Sequence, residues 1–439
     1  MQRNPCRRHT TGMKTDPLKD NLRHLYGDIA WFGVLSGTAM AYLSVYAARL
    51  GADAFQIALL TAGPAGLNLV FSLQSGRWLE GRPFPAVTFR SSVAHRVIYL
   101  LFIILPWAMP PRLQLWGMVG LVLIGAIPGT LLAIAFNATY AEIVPADHRA
   151  HVTGRRNAYL AITLTSSVFA SGQVLNRVDF PLNFQIVFIV GALGAVMSSY
   201  HLYRLRSVMP RERQADHPGR PLGSLLRPGS FRLPDAPRLS IGLRYLTRSG
   251  GKPMMRLDLL RGSFGGVLMT LLIFYAVQHL PIPLFPILWV QELGLSDAAI
   301  GVGQAGFYGT MFLSSLVAGP LRRRIGRRQL ILVSAMLYGI YPLLNGLARN
   351  EWLVWAASLA GGAIWGLLNV GLIDFLFDNV PDGDRPAHMA LHNVTLNAGV
   401  LIGSLVGPLA SDVIGLRQSM LAAAVLRLAV AGLFVFAKR

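Results

Sequence analysis

Residues 319–328 read GPLRRRIGRR and place five arginines within ten positions. Apolar runs lie on both sides of this stretch, at 297–319 and 329–347. Each run is long enough to cross a bilayer core of about 30 Å as a helix that rises about 1.5 Å per residue. Because charged side chains are costly inside a bilayer, the arginines hold the stretch in water. The pattern predicts a short loop between two transmembrane helices.

Apolar runs of similar length occur along the whole chain. The predicted spans are 27–48, 54–75, 88–109, 113–136, 157–176, 184–204, 265–291, 297–319, 329–347, 352–377, 391–412 and 417–437. Apolar residues make up 53% of the chain and charged residues only 14%, whereas soluble domains contain about 25% charged residues. The sequence therefore predicts an all-α membrane protein with twelve transmembrane helices.

Basic residues are distributed unevenly over the loops between these spans. With a cytoplasmic N-terminus, each short external loop holds a single basic residue. These residues are Arg49, Arg112, Arg177, Arg349 and Arg417. Most of the 40 lysines and arginines then lie on the cytoplasmic side, as the positive-inside rule requires. We expect both termini in the cytoplasm and the chain in a prokaryotic plasma membrane. The net charge of +20 then reflects topology and does not indicate a nucleic-acid partner.

The two halves of the chain share an internal repeat. Two constant offsets, separated by a short indel, align the halves. The aligned pairs include Gly51 with Gly294, Gly76 with Gly319, Glu142 with Asp378 and Arg149 with Arg385. Since each half has an even number of spans, the copies share one orientation and form a parallel repeat. The predicted segments are a cytoplasmic tail at 1–26, a six-helix bundle at 27–204, a basic linker at 205–264 and a second six-helix bundle at 265–439.

The linker is rich in arginine and proline and has no apolar run of spanning length. Its charge favours a solvated tether on the cytoplasmic side. The alternative is docking on anionic membrane lipids, which contributes about 1 kcal/mol per basic residue near the surface.

The loop at 319–328 resembles the motif of the major facilitator superfamily, Gly-x-x-x-Asp-Arg/Lys-x-Gly-Arg/Lys-Arg/Lys, which joins the second and third helices of each half. The matching positions are Gly319, Arg324, Gly326, Arg327 and Arg328, while Arg323 replaces the acid. In the first half, Gly76 and Glu80 keep the glycine and an acid, and the rest of the motif is lost.

Two further pairs resemble the family's element after the fourth helix of each half. They are Glu142 with Arg149 and Asp378 with Arg385. In this family such residues imply a cytoplasmic latch, because the loop acid meets a helix N-terminus, which favours a carboxylate by about 0.3–1 kcal/mol. Glu80 is expected to keep this latch in the first half. The second half either lacks it or uses Asp378 or Asp384.

Asp374 is a candidate for proton coupling. It lies near the cytoplasmic end of its span and shares a helix face with Asp378, one turn away. The alternative is that both acids lie at the membrane interface and bind loop arginines such as Arg385. Arg427, in the last span, is expected to be a structural arginine that pairs with an acid or extends to the interface.

Candidates for binding a solute lie in the seventh span. Tyr275, Gln278 and His279 share one face, and prolines at 281, 283 and 286 break the helix that follows. In the family that the chain resembles, helices 1, 4, 7 and 10 line a central cavity. This resemblance adds Tyr42, Asn137, Trp365 and Asn369. The alternative role for each of these side chains is a hydrogen bond between helices.

Enzyme chemistry has no support, because the sequence lacks a phosphate-binding glycine loop, a His-Glu-x-x-His motif and a Cys/His cluster. We expect no cofactor and no metal. The leading hypothesis is a monomeric secondary transporter that moves a small-molecule solute by alternating access, with protons as the candidate coupling ion. The alternative is a receptor or assembly factor of the same architecture that acts through its basic linker.

Overall fold

The structure is a computed structural model that describes residues 17–79, 82–206, 257–380 and 385–436. Most of the predicted tail and linker lie outside these residues, as does Glu80. The side chains of 72–78 and 385–387, which include Gly76 and Arg385, are also outside the description.

In these residues the chain forms twelve long helices and no strand. The helices are α1 (Pro17–Arg49), α2 (Ala54–Leu79), α3 (Phe84–Ala108), α4 (Pro111–Ile143), α5 (Arg149–Arg177), α6 (Leu182–Tyr203), α7 (Ser263–Glu292), α8 (Asp297–Ile325), α9 (Arg327–Leu347), α10 (Glu351–Asp378), α11 (Arg385–Ile414) and α12 (Leu416–Ala431). A 3₁₀ turn at Leu257–Arg261 precedes α7, and a short helix at Leu433–Phe436 follows α12. The predicted all-α fold is confirmed.

Ten of these helices are long and apolar enough to cross a membrane. The remaining two are α8 and α12. Glycine and hydroxyl side chains lower the mean hydropathy of α8, and α12 is a helix of only 16 residues. Both helices nevertheless pack among the others and complete the set of twelve.

The first helix begins earlier than the predicted tail allows. Residues 17–26 are helical rather than part of a tail. Leu25 is fully buried against Leu132 and Leu205, and the Asn21 side chain donates to the backbone carbonyl of Arg206 at 2.9 Å. These contacts with the far end of the first bundle hold the polar extension of α1 in a helix.

Helix packing repeats between the halves. In the first half α1 packs on α5 and α6, α3 packs on α4 and α6, and α2 packs on α4. The same five pairings recur six helices later, as α7 with α11 and α12, α9 with α10 and α12, and α8 with α10. The halves meet through α5 with α8 and through α2 with α11. Two six-helix bundles in parallel repeat are therefore present.

The aligned glycines Gly51 and Gly294 have the same conformation. Their φ angles are +83° and +59°, a region in which only glycine is free of strain. Each glycine ends the first helix of its bundle. We call the end of the molecule that carries these two glycines the distal end, and the opposite end, where α1 and α9 begin, the proximal end.

Candidate functional site

The two bundles are joined at the distal end by an ion pair. Arg49 of α1 donates from Nη2 to Asp297 Oδ1 of α8 at 2.9 Å and to the Leu295 carbonyl at 2.6 Å. Beside it, Gln291 Nε2 at the end of α7 donates to the carbonyls of Ala48 and Ala52 at 3.1 and 2.9 Å. Both sets of bonds cross from one bundle to the other, and we call them the distal junction.

Below the distal junction, α5 and α8 approach closely at two glycines. A Cβ added to Gly301 would lie 2.9 Å from the Gly172 Cα and 2.5 Å from the Tyr42 hydroxyl. Tyr42 is fully buried, and its hydroxyl donates to the Val168 carbonyl at 2.8 Å. In this conformation Tyr42 therefore lies in the contact between the bundles and does not line an open cavity.

A second crossing lies near the middle of the molecule. Asn68 of α2 donates from Nδ2 to Asn397 Oδ1 of α11 at 3.5 Å, and the Thr130 hydroxyl of α4 donates to Asn68 Oδ1. Thr165 of α5 lies opposite Gly309 of α8, where an added Cβ would be 3.8 Å from the threonine methyl group. The described contacts between the bundles thus extend from the distal end to the middle.

The motif residues at the proximal end bind α10 through two ion pairs. They do not form the predicted loop, because α8 continues to Ile325 and α9 begins at Arg327, with only Gly326 between the two helices. Arg322 Nη1 lies 2.9 Å from Asp374 Oδ1, and Arg327 Nη1 lies 2.5 Å from Asp378 Oδ1. The two acids share one face of α10, as predicted. Both bind arginines of the 319–328 stretch, which agrees with the alternative in which these acids bind loop arginines, and the side chain of Arg385 lies outside the described residues. Arg324 and Arg328 are exposed, and Gly326 caps α9 with a positive φ of 85°.

In the first bundle, Arg149 caps the end of α4. Its guanidinium donates to the carbonyls of Ala141 and Val144 at 2.7 and 3.0 Å, where the helix has no further N–H groups to offer. Glu142 is half-buried on the same turn. The latch predicted for Glu80 involves a residue that lies outside the described ranges.

The α7 helix is broken where the prolines predict it. Its first segment ends at His279, a turn follows at 281–283, and helical structure resumes at Leu284. Beside the break, the Tyr275 hydroxyl is hydrogen-bonded to His392 Nε2 of α11 at 3.0 Å. His279 Nδ1 bonds the Tyr275 carbonyl at 2.8 Å.

Trp365 and Arg427 contact the same aromatic ring in the second bundle. Trp365 stacks on Tyr338 with ring centroids 5.1 Å apart, and Arg427 lies 4.5 Å from the same ring. Arg427 in turn contacts the Gln278 backbone. The buried Trp365 Nε1 and Gln278 Oε1 have no hydrogen-bond partner among the described residues.

The predicted cavity residues therefore occupy several places. Tyr275, Gln278, His279 and Trp365 belong to the second bundle, around the α7 break, and half-buried Asn369 is one turn beyond Trp365. Asn137 is buried in α4 of the first bundle. Tyr42 belongs to the contact between bundles.

A buried charged network in the first bundle was not predicted. Asp28 is fully buried, accepts from the Ser198 hydroxyl at 2.5 Å and lies 3.3 Å from Arg156 Nη2 and 3.7 Å from Arg96 Nη2. Arg96 also donates to the Ser199 hydroxyl at 2.9 Å. A signal was available, because Asp28 and Arg96 both lie within predicted spans, where a charge requires a partner.

Comparisons with known proteins give one family model and several curated relatives of low identity. A family model described as Major Facilitator Superfamily matches residues 267–439. Multidrug resistance protein 1 of Bacillus subtilis is 26% identical over 147 residues, which cover 34% of this chain and 38% of that protein. Quinolone resistance protein NorA of Staphylococcus aureus is 22% identical over 142 residues, 32% of this chain and 36% of its own length. The chain thus matches less than two fifths of the length of these curated relatives.

Solved structures share the fold over nearly the whole chain. The nucleoside transporter NupG superposes with a TM-score of 0.66 over 96% of this chain and 99% of its own, at 11% sequence identity. At that identity the likeness establishes the arrangement of helices and nothing about the solute.

Proposed function

We propose that the chain is a secondary transporter of the major facilitator superfamily, which moves a small solute across the membrane by alternating access. The observation that carries the proposal is the pair of repeated bundles, which meet at the distal junction. Access from the distal side requires the bundles to separate there, and access from the proximal side requires them to stay closed.

The chemistry of the distal junction suits reversible opening. Arg49 is partly exposed, so its ion pair with Asp297 contributes modestly, and exposed pairs are typically worth about 0–1 kcal/mol. At the contact between α5 and α8 the backbones of Gly172 and Gly301 approach each other directly, with the Tyr42 hydroxyl beside them. The contact at these two glycines is therefore made by backbone atoms rather than by interdigitated side chains of α5 and α8.

The α7 break supplies the candidate solute site. Trp365 Nε1 offers a donor and Gln278 Oε1 an acceptor, and neither is satisfied by the described protein groups. Buried polar atoms are normally paired, so a bound solute is a suitable partner for both. The Tyr338 ring stacks on the Trp365 ring that carries Nε1. We propose a small organic solute with planar apolar surface and hydrogen-bonding groups, in keeping with the drug-resistance relatives.

We propose that a proton gradient drives the transport and that Asp374 carries the proton. The Asp374 side chain is about nine-tenths buried and binds Arg322 in the last turn of α8. Protonation would neutralise the carboxylate and weaken its bond with Arg322, so the end of α8 would loosen from α10. This would link the protonation state to movement at the proximal end.

A cross-linking experiment tests alternating access. In a Cys6→Ser background, Thr165→Cys with Gly309→Cys places two thiols across the bundle contact, where a Cβ added at 309 lies 3.8 Å from the Thr165 methyl group. The purified protein in liposomes is assayed with quinolones, nucleosides and other organic solutes. Oxidation is expected to stop transport and reduction to restore it.

The matched control is Thr88→Cys with Thr139→Cys, which joins α3 to α4 inside the first bundle, where the native hydroxyls are 2.8 Å apart. This link should leave transport intact. Full transport by the oxidised inter-bundle pair would refute the proposal.

A further inference from the structure

Arg427 lies in the middle of α12 and is only 3% exposed. Its Nη1 donates to the Tyr338 carbonyl at 3.2 Å and its Nη2 to the Gln278 carbonyl at 2.5 Å. The guanidinium also lies over the Tyr338 ring. The sequence predicted a partner acid or a side chain that reaches the interface. Both expectations are wrong, because Arg427 is buried and binds backbone carbonyls.

The Tyr338 carbonyl lacks its helical N–H donor because of a proline. In an α-helix the carbonyl of residue i accepts from the N–H of residue i+4. For Tyr338 that residue is Pro342, which has no N–H. The helix α9 is interrupted at this point, since its two segments are Arg327–Leu337 and Ile340–Leu347.

The Gln278 carbonyl lacks its helical N–H donor because of the break in α7. Its helical donor would be the N–H of Ile282, but that group donates to the His279 carbonyl at 3.2 Å in the turn formed at Pro281 and Pro283. Inside a membrane protein a backbone carbonyl without a donor is costly. Arg427 satisfies one such carbonyl on each of two helices, and a charged donor makes the stronger bonds.

The segment of α7 after the break, residues 284–292, is bonded to α9 and α12. Trp289 Nε1 donates to Asn345 Oδ1 of α9 at 2.8 Å. Glu292 forms an ion pair with Arg417 of α12, and Arg417 also donates to the Gly346 carbonyl at 3.1 Å. Side-chain bonds thus connect residues 284–292 of α7, residues 340–347 of α9 and the start of α12 at the distal end. Arg427 connects the same three helices at the level of the two helix breaks.

We propose that Arg427 is a positioning residue that couples the break in α7 to the break in α9, so that residues 284–292 move together with α9 and α12. Since Gln291 of this segment crosses to Ala48 and Ala52, the coupled unit is one half of the distal junction. Its role in gating rests on the proposed transport function, whereas the coupling itself does not.

Hydrogen–deuterium exchange on the purified protein, without any solute, tests the coupling. Arg427→Met keeps an unbranched side chain and removes the donors. We expect backbone amides of 284–292 and of 340–347 to exchange about tenfold faster or more, because both breaks open locally. Leu426→Met, at a half-exposed neighbour on α12, is the matched control and should leave both segments protected.

A second variant separates this role from general destabilisation. Pro342→Ala supplies an N–H for the Tyr338 carbonyl, so in the Arg427→Met background it should restore protection of 340–347 and leave 284–292 exchanging rapidly. If Arg427→Met does not fold, Arg427→Lys with and without Pro342→Ala gives the same comparison, since lysine cannot span both carbonyls.

Unchanged protection at both breaks in Arg427→Met, or failure of Pro342→Ala to protect 340–347, would overturn the coupling. Absence of transport in liposomes would overturn the proposed function and leave the exchange result standing. Normal exchange and normal transport in Arg427→Met would overturn the coupling role of Arg427 and leave the proposed transport function standing.

Discussion

Asp28 is a charged residue with no access to solvent, and it lies between two arginines and a serine hydroxyl. The four side chains belong to four different helices. Removal of one member of a buried ion pair is more damaging than replacement of the whole pair, because the remaining charge keeps its desolvation cost. Arg156 also lies 4.5 Å from the Phe136 ring, which links the network to α4. This network stabilises the first bundle as a unit.

The substitution Asp28→Asn should destabilise the protein by about 3–5 kcal/mol, since two buried arginines lose their counter-charge. Thermal unfolding in detergent, followed by intrinsic fluorescence, measures the effect. Asp179→Asn, in an exposed loop at the distal end, is the control and should change stability by less than about 0.5 kcal/mol. An equal effect of the two substitutions would show that the network contributes little.

Asp374→Asn should abolish solute accumulation driven by a pH gradient and preserve exchange of solute across the membrane, because the amide cannot carry the coupling proton. Transport into liposomes with and without an imposed gradient distinguishes the two activities. Asp378→Asn removes the more exposed ion pair of the same loop and serves as the control. Unchanged pH dependence in Asp374→Asn would rule out this coupling role.

At the scale of single elements, the helices are shaped by where their backbone bonds are interrupted. Arg149 caps α4 from outside the helix, and prolines interrupt α7 and α9. At the contact of α5 with α8, absence of side chains at Gly172 and Gly301 sets the separation of two helices. Small residues of this kind allow close packing between membrane helices.

Gly172→Ala should shift the protein toward a conformation that is open at the distal end. The added methyl group would lie 2.9 Å from the Asp297 carbonyl and 3.0 Å from the Gly301 Cα, so α5 and α8 must separate. Spin labels at Arg112 and Trp352, both exposed at the distal end on different bundles, report the distance. Gly154→Ala, on the same helix but facing open space, should leave the distance distribution unchanged, and a Gly172→Ala variant that matches it would contradict the prediction.

For the whole molecule, the number and order of helices could be predicted because a span needs only apolar length, which a sequence displays directly. The proline break in α7 and the shared face of Asp374 and Asp378 followed from local spacing in the same way. The ion-pair partners of buried charges could not be predicted, since Arg322 and Asp374 are distant in sequence and meet only through the packing of α8 on α10. Asp28 and Arg96 could not be paired from the sequence, because they lie in different spans and neither span indicates the other.

Removal of most of the linker, residues 213–250, should leave transport in liposomes unchanged within about twofold, because a solvated tether tolerates shortening. A matched-length replacement by Gly and Ser controls for composition. Loss of activity with the shortened chain and its recovery with the uncharged replacement would indicate a minimum length. Loss with both would favour the role of the linker as a docking surface.

The contacts of α5 with α8 and of α2 with α11 exchange with each other when the helix numbers are shifted by six. That exchange defines an isologous interface, in which two identical subunits present the same surface to each other. A six-helix ancestor that formed a homodimer would already have contained both contacts. Gene duplication and fusion would then have required no new surface, and each copy could later diverge, with Arg427 and its proline breaks in one and the Asp28 network in the other.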